Sequence, residues 1–303
     1  MRTAAIVGTN WGLIHLATLR DAGLDVVALA GTSFDRTRAI AEREGVSGAS
    51  TDLARLADVD LVVVATPAST HADVLRRLPV PHIVCEKPII GIDGSPQDLP
   101  ETGHRVFVNY AFAFLDSARL AADLINDSEG MAAARLECSV NLPQDFDVPQ
   151  WFLEVASHPL SWLLHMSGPP HVRSRHQSVT GLSLELTCSD VEIDVDFTVG
   201  GPAGIHQDIE VCARSGATIG LSGRYVPGQP WEYDPVTVDG QQRNAGESGE
   251  PDCWMQANRR SVTTMIDVFR GDLDRSAALA SGLFDIRKAL WLERTLTQQS
   301  VVG

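Results

Sequence analysis

The segment HIVCEKP, residues 82–88, brings a carboxylate, an ammonium and a proline to the end of an apolar run. Its first four residues are typical of a buried strand, and Glu86, Lys87 and Pro88 follow directly. A lysine at the carboxyl end of a strand can hydrogen-bond a hydroxyl or carbonyl oxygen and share a proton with it, provided that burial lowers its pKa. The tripeptide alone is more typical of a surface Glu–Lys pair at a turn. The choice between these two interpretations depends on the motifs found elsewhere in the chain.

A glycine turn follows the first apolar run of the chain, in the segment IVGTNWG. Gly8 and Gly12 flank a turn into a helix that is expected to begin near Leu13. Glycines here would let the backbone approach a pyrophosphate, which the helix N-terminus binds through free amides. The spacing is one residue shorter than GxGxxG, with Asn10 in place of the middle glycine; asparagine tolerates left-handed geometry better than most residues. We predict a dinucleotide-binding turn, with an ordinary strand-to-helix turn as the alternative.

The second predicted strand ends in small hydroxyl residues. In dinucleotide-binding folds this strand normally ends in an acid that binds the ribose 2′-hydroxyl, whereas here Thr32 and Ser33 are followed by Arg36. Small hydroxyl residues with a nearby arginine accommodate a 2′-phosphate, which favours NADP over NAD. Asp35 argues against that preference, and an ordinary solvated Arg36 on a helix is the alternative. NAD therefore stays open as the cofactor.

The segment LVVVATPASTH carries polar residues at the carboxyl end of another buried strand. Ligands of open α/β sheets bind outside these strand ends. Thr66 and Pro67 lie at this end, and Pro67 stiffens the loop because its ring fixes the backbone. We include His71 in the predicted cofactor site, although a histidine that packs against or caps the next helix is the favoured alternative.

Two patterns of hydrophobicity divide the 303-residue chain. Residues 1–115 alternate β-branched runs with helical patterns, which predicts βαβ crossovers and a parallel sheet. Residues 116–303 begin with a predicted helix near 117–127 and then alternate apolar and polar residues at period two, which together predict an α+β domain with an open, mainly antiparallel sheet. Two amphipathic helices, roughly 253–270 and 276–298, are expected to close the chain.

Composition disfavours several kinds of partner. A formal net charge of -15 and a pI near 4.9 argue against nucleic acid and anionic membranes, because both would meet a repelling field. The five cysteines are widely spread and form no CxxC pair, which favours a reducing, cytoplasmic compartment. No window reaches 18 apolar residues, and His158 with His165 lacks the third ligand of a catalytic zinc. We expect a soluble protein with a small-molecule substrate and no metal.

The order of these motifs resembles that of the Gfo/Idh/MocA family of NAD(P)-dependent oxidoreductases. The family pattern is GxGxxG, then TPxxxH, then EKP; here GTNWG followed by His15 precedes ATPASTH, CEKP and VNYAFAF. The resemblance implies an N-terminal Rossmann domain, residues 1–115, and a C-terminal α+β domain for substrate binding and oligomerisation, residues 116–303. It also implies NADP(H) or NAD(H) as the cofactor, and a homodimer or homotetramer formed through the antiparallel sheet.

The predicted cofactor site gathers residues from every one of these motifs. They are Gly8, Thr9, Asn10, Trp11, Gly12, Thr32, Ser33, Arg36, Thr66, Pro67, His71, Glu86, Lys87, Pro88 and Asn109. The resemblance adds that Lys87 contacts both substrate and cofactor, and that the peptide bond between Lys87 and Pro88 is commonly cis.

A second family motif, DxGxH followed three residues later by Asp, is matched by LEVASHPLSW. The resemblance aligns Glu154 with the first acid and His158 with the histidine, while Ser161 replaces the last acid and cannot act as a base. We predict that His158 is the acid–base residue, that Lys87 polarises the substrate oxygen and that Glu154 orients or tunes the histidine. A helix histidine packed against Trp162 is the alternative for His158.

Aromatic residues replace the glycines that usually precede this motif. Trp151 lies in PQWFLE, so we predict that the substrate contacts Lys87, Trp151 and His158 and has an apolar portion. Other aromatic and histidine residues of the second domain have no ligand-like spacing and are expected to serve packing or interfaces: Trp231, Tyr233, His171, His176 and His206.

The sequence therefore predicts a cytoplasmic, NADP-preferring oxidoreductase that acts on a hydroxyl or keto carbon of a sugar or nucleotide sugar. An NADPH-dependent imine reductase with the same site is the first alternative. A non-catalytic dinucleotide-binding sensor is the second, because the altered glycine turn, Ala113 and Ser161 could mark a site that is losing its chemistry.

Overall fold

A computed structural model describes residues 1–91, 99, 106–244 and 252–297. Its strands are β1 Thr3–Val7, β2 Asp25–Ala30, β3 Gly48–Ser50, β4 Leu61–Val64, β5 His82–Cys85, β6 Val106–Val108, β7 Met131–Asn141, β8 Pro170–Gln177, β9 Gly181–Cys188, β10 Val191–Val199, β11 Gly204–Ala213, β12 Thr218–Tyr225, β13 Glu232–Tyr233, β14 Val236–Val238, β15 Gln241–Arg243 and β16 Phe284–Asp285. Its α-helices are α1 Ile14–Asp21, α2 Phe34–Glu44, α3 His71–Arg77, α4 Asp116–Asp127, α5 Val148–Trp151, α6 Ser157–Ser167, α7 Cys253–Arg270, α8 Arg275–Ala280 and α9 Ile286–Thr297.

The first of two compact units comprises Met1–Tyr110 and Asn258–Trp291. Its sheet has the order β16-β6-β5-β4-β1-β2-β3, in which β1 to β6 run parallel and β16 is antiparallel to β6. The residues of β4 are buried throughout, as expected for a strand covered on both faces. The predicted parallel Rossmann sheet is confirmed. Its strand order reverses between β1 and β4, and ligands of such sheets bind beyond the carboxyl ends of the strands at this point.

The end of the chain differs from the prediction. The expected helix over 253–270 is confirmed as α7, but the expected helix over 276–298 is wrong, because β16 separates α8 from α9. Gly282 has a φ of +110°, which favours glycine and ends the helical path, and Phe284 then pairs with Val108 of β6. Asn258–Trp291 are thus grouped with the first unit, and β16 is the edge strand of its sheet.

The second unit comprises Ala111–Ala257 and the residues from Leu292 onward. Its sheet has the order β15-β14-β12-β11-β7-β10-β9-β8, with β13 paired to β12. The central pair β7 and β10 is parallel and the other pairs are antiparallel, so the predicted, mainly antiparallel second sheet is confirmed. Helices α4, α5 and α6 pack against this sheet. None of the helices within the described ranges is long and apolar enough to cross a membrane.

The face of the second sheet away from its core is rich in carboxylates. Asp196 of β10 and Asp208 of β11 both lie in register with Glu137 of β7, so the half-buried Asp196 and the exposed Glu137 and Asp208 form one row across adjacent strands. Arg135 binds two of them, with Nε 2.8 Å from Glu137 Oε1 and Nη2 3.3 Å from Asp196 Oδ2. Like charges placed directly opposite destabilise a sheet pair, and this arginine offsets part of that repulsion.

Candidate active site

The turn after β1 requires glycine at two positions. Gly8 has a φ of +108°, and a Cβ there would lie 2.3 Å from the carbonyl oxygen of Ala65, just beyond β4. A Cβ on Gly12 would lie 2.7 Å from Ile6 Cγ2. Asn10 has a φ of -105°, so it does not use the left-handed geometry that asparagine tolerates. The two glycines therefore allow close packing of the turn and its helix on the sheet.

The same turn leaves backbone donors available. Within the described part of the chain, the amides of Thr9, Asn10 and Trp11 donate to no protein acceptor. Free amides at the start of a helix, beside the strand-order reversal, are suited to the phosphates of a dinucleotide. The side-chain Oδ1 of Asn10 accepts a hydrogen bond of 2.9 Å from Nη2 of Arg36, which ties the turn to α2.

The end of β2 exposes the side chains that the sequence assigned to the adenosine ribose. Thr32, Ser33 and Arg36 are all exposed. Ser33 is the N-cap residue of α2, yet its hydroxyl makes no capping hydrogen bond and so stays available as a donor. These residues, with the free amides of the turn, fit a nicotinamide dinucleotide.

His71 joins the TPASTH segment to the residues after β5. Its side chain is fully buried, with Nε2 2.8 Å from the carbonyl oxygen of Thr66 and Nδ1 3.0 Å from that of Pro88. The imidazole thus holds together the loops that follow β4 and β5. Both ring nitrogens thus lie within hydrogen-bond distance of backbone carbonyl oxygens. The peptide bond between Lys87 and Pro88 is cis, as the family resemblance implied.

Glu86 is the centre of a buried polar cluster. Its Oε1 lies 2.7 Å from His15 Nε2 and accepts a 2.9 Å hydrogen bond from Asn109 Nδ2. Asn109 Nδ2 also donates to Asn258 Oδ1 of α7 at 2.7 Å. Burial alone would raise the pKa of the Glu86 carboxyl, but the hydrogen bond and charge of His15, the amide of Asn109 and the charge of Lys87 together hold that pKa below its usual value. Glu86 is therefore an anion beside the half-buried Lys87.

The cluster includes residues that sequence reasoning did not assign to the site. His15 was named only as part of the glycine-turn motif and was given no role in the site. Asn258 could not be predicted, because it lies 149 residues from Asn109 along the chain. Asn109 was predicted, and its Oδ1 is buried with no protein donor among the described residues. That oxygen is an acceptor available to a bound ligand.

His158 lies where a π-helical turn, Phe152–Ala156, passes into α6. Single π-turns within helices are frequent at functional sites, and Glu154 lies in this one. The hydroxyl of Ser161 donates to the carbonyl oxygen of His158 at 2.6 Å, so it is engaged within the helix. The His158 ring meets Trp254 edge to face, with centroids 4.7 Å apart. Trp254 is thus one aromatic neighbour of this histidine, and it was not anticipated from the sequence, where the packing alternative named Trp162.

The predicted substrate residue Trp151 is buried, with 5% of its surface exposed, and packs against Phe146 at 5.0 Å between ring centroids. Half-exposed rings of this unit lie elsewhere and include those of Trp231 and Tyr233. The sequence analysis assigned both to packing or interfaces, because their spacing is not typical of ligand-binding residues. Among the described residues, no group of His, Cys, Asp and Glu side chains could hold a metal ion.

Comparison with known proteins finds a family likeness in the N-terminal part of the chain. Residues 2–105, about a third of the chain, match the family model described as an oxidoreductase family with an NAD-binding Rossmann fold. This match agrees with the resemblance to the Gfo/Idh/MocA family that the motif order indicated. A comparison with curated protein sequences gave no significant match.

Solved dehydrogenase structures share the fold over nearly the whole chain. A dehydrogenase from Clostridium difficile gives a TM-score of 0.75 at 10% identity, with 97% of each chain covered. The myo-inositol dehydrogenase from Lactobacillus casei, solved with NAD(H) and myo-inositol, gives 0.71 at 15% identity over 98% of this chain and 92% of its own. The UDP-N-acetylglucosamine 3-dehydrogenase from Acidithiobacillus ferrooxidans gives 0.69 at 14% identity over 97% and 94%. At these identities the likeness establishes the fold.

Proposed function

We propose that the protein is an NADP-preferring oxidoreductase that interconverts a hydroxyl and a keto group on a sugar or nucleotide sugar. The observation that carries the proposal is the ionised Glu86, held by His15 and Asn109 directly before Lys87 at the carboxyl end of β5. A buried anion at this place fixes the strand end, so Lys87 extends from an ordered backbone rather than from a mobile turn.

The cofactor is held by the first unit. The amides of Thr9, Asn10 and Trp11 would bind the pyrophosphate, and Thr32, Ser33 and Arg36 would bind the 2′-phosphate of NADP(H). Asn109 Oδ1 is left as a further acceptor, and the Thr66–Pro67 loop, which His71 secures, completes the set. The nicotinamide, when bound, supplies or accepts the hydride.

Three side chains serve proton transfer and the polarisation of the substrate oxygen. Lys87 polarises that oxygen with its ammonium group. His158 gives up or takes the proton at its imidazole, a group that titrates near neutral pH and so suits general acid–base catalysis. Glu154, four residues before His158 on the same helical segment, orients or tunes it.

The substrate class is supported by what similar structures are named for. Myo-inositol and UDP-N-acetylglucosamine are both rings that carry secondary hydroxyls, and proteins named for them share this fold. A cyclic imine is the second candidate, favoured by the aromatic contact of His158 with Trp254.

The test is nicotinamide oxidation or reduction over a panel of cyclitols, monosaccharides, nucleotide sugars and cyclic imines, with both NADPH and NADH. Lys87→Met should lower turnover by about a hundredfold or more while NADPH still binds. Lys288→Met is a matched control, because Lys288 is the chain's other lysine and lies on α9 over the ring of Phe284. Turnover that survives Lys87→Met would refute the role of Lys87. NADPH binding without turnover on any substrate would favour the sensor.

A further inference from the structure

The second unit contains an aromatic array on β12, β13 and the loop between them. The ring of Trp231 stacks on Tyr225 with centroids 5.4 Å apart and planes 23° apart, and lies parallel to Tyr233 at 6.2 Å and 10°. Trp231 also meets Trp254 at the start of α7, with centroids 5.5 Å apart. These four rings, Tyr225, Trp231, Tyr233 and Trp254, are called the aromatic array below.

The array is continuous with the proposed catalytic histidine. Trp254 contacts Trp231 on one side and the imidazole of His158 on the other, at 4.7 Å. A second connection runs through hydrogen bonds: the hydroxyl of Tyr233 donates to Gln207 Oε1 at 2.6 Å, and Gln207 Nε2 donates to the carbonyl oxygen of Val155 at 3.4 Å. Val155 belongs to the π-helical turn that precedes His158, so the array and the histidine are fixed to one another.

The chain makes specific room for these rings. A Cβ on Gly223 of β12 would lie 2.2 Å from Cε1 of Tyr233, so glycine is needed for the tyrosine to lie flat on the strand. The thiol of Cys253 donates to the carbonyl oxygen of Trp231 at 3.0 Å and secures the loop against the start of α7. The ring of Tyr233 is half-exposed, but its hydroxyl end is enclosed, and this burial holds the pKa of the hydroxyl well above its usual value, so it stays a neutral donor.

The solvent exposure of the rings increases along the array with distance from His158. Trp254 has 6% and His158 8% of its surface exposed, whereas Trp231, Tyr225 and Tyr233 are half-exposed. Aromatic side chains that only fill a core have no need to remain open to solvent, and a graded edge of this kind is typical of a ligand-binding wall lined by aromatic residues.

Charge limits what the array can bind. Between Thr218 and Tyr233 the sole basic residue is Arg224, and its guanidinium is already paired with Glu232 through contacts of 3.1 and 2.7 Å. A diphosphate would therefore find no available cation in this segment. An uncharged ring with one apolar face is instead well matched to stacked aromatic side chains.

We propose that the aromatic array is the specificity subsite of the enzyme, and that it binds the apolar C–H face of an uncharged ring substrate, a cyclitol or a simple pyranoside, beside His158. The inference rests on the proposed oxidoreductase function and narrows its substrate class to rings without a nucleotide. Trp231 is the specificity-determining residue, because it contacts the other three rings and is half-exposed.

The test compares Trp231→Ala and Trp231→Phe with the unaltered protein. Binding of myo-inositol, methyl glycosides, an acyclic alditol and UDP-N-acetylglucosamine is followed by ligand-observed NMR in the presence of NADPH, and turnover is measured separately. We expect Trp231→Ala to raise the Kd and KM for the ring compounds about tenfold with kcat changed less than about threefold, and Trp231→Phe to restore most of the affinity. Thermal melting confirms that each variant is folded.

The outcomes separate the two proposals. Ring compounds that bind in a Trp231-dependent manner without turnover would support the subsite and refute the catalytic function. Turnover whose KM is the same in Trp231→Ala, an equal loss for the ring compounds and the acyclic alditol, or tighter binding of the nucleotide sugar than of the simple rings would each overturn the subsite and leave the catalytic function standing.

Discussion

His15 Nε2 lies 2.7 Å from Glu86 Oε1, with 1% and 8% of the two side chains exposed. His15 is on the helix that follows the glycine turn, and Glu86 directly precedes Lys87. This buried contact therefore joins the element that would hold the pyrophosphate to the strand end that carries the proposed chemical residue. Removing either partner leaves the other as a buried polar group without a hydrogen-bond partner. The resulting loss of stability is larger than the net contribution of the intact pair.

Glu86→Gln should destabilise the protein at neutral pH by about 1–3 kcal/mol, because the amide loses the charge-assisted hydrogen bonds from His15 and Asn109. The folded protein holds the pKa of Glu86 below its ordinary value of 4.5, so the ionised carboxylate contributes stability above that value, and this contribution is lost as pH falls through the lowered pKa. Urea unfolding from pH 7 down to pH 3 measures the difference, which should shrink on acidification.

Glu42→Gln is the control for that series, because Glu42 pairs with Arg38 on the exposed face of α2. An exposed ion pair of this kind contributes little to the free energy of unfolding, so the substitution should alter stability by less than about 0.5 kcal/mol at any pH. A Glu86→Gln effect of the same small size would mean that the buried cluster does not stabilise the unit.

Gly8→Ala should disrupt the cofactor turn. The substitution places a Cβ 2.3 Å from the carbonyl oxygen of Ala65 at a φ of +108°, so the backbone must shift. Gly23→Ala is a matched control, since Gly23 has a φ of +74° and a Cβ added there would meet nothing within 4 Å. We expect NADPH affinity, measured by fluorescence titration, to fall at least about tenfold in Gly8→Ala and to be nearly unchanged in Gly23→Ala.

Arg36→Ala should change cofactor preference. If Arg36 binds the 2′-phosphate, its loss removes a charge-assisted contact made by NADPH alone, so the Kd for NADPH should rise about tenfold or more while that for NADH stays within about threefold. Arg38→Ala, two residues along α2, is the control because Arg38 pairs with Glu42. Equal losses for both cofactors would indicate that Arg36 acts only by holding Asn10 in the turn.

Lys288→Met should stabilise the protein at pH 7 by about 1 kcal/mol. Burial lowers the pKa of the Lys288 ammonium from 10.5 to about 8, so the charged form is disfavoured in the folded state. The destabilisation caused by the buried ammonium is fully present below pH 8 and disappears as the pH rises toward 10.5. Thermal melting at pH 7 and at pH 10 should show a gain at the lower pH only; a loss at pH 7 would mean that the contact with Phe284 outweighs the cost of burial.

Local signals predicted those parts of the molecule that depend on neighbours in the sequence. The strand ends before Gly8, Thr66 and Glu86 followed from apolar runs and turn residues, and the cis bond at Pro88 followed from the family resemblance. Contacts between distant residues could not be read in this way. Asn258 reaches Asn109 because α7 returns to the first unit, and β16 forms because Phe284 pairs with Val108. The role of Trp231 depends on Trp254, and no periodicity links the two.

The acidic row of the second sheet should oppose self-association through that face. A two-fold axis brings a surface patch against its own copy, so the row formed by Asp196, Glu137 and Asp208 would face an identical row. The predicted homodimer or homotetramer through this sheet should then be governed by ionic strength, with association strengthening as added salt shortens the Debye length from about 30 Å to about 3 Å. Sedimentation velocity across that range reports the effect. A mass that is constant and above that of one chain would show that self-repulsion at this face is already neutralised.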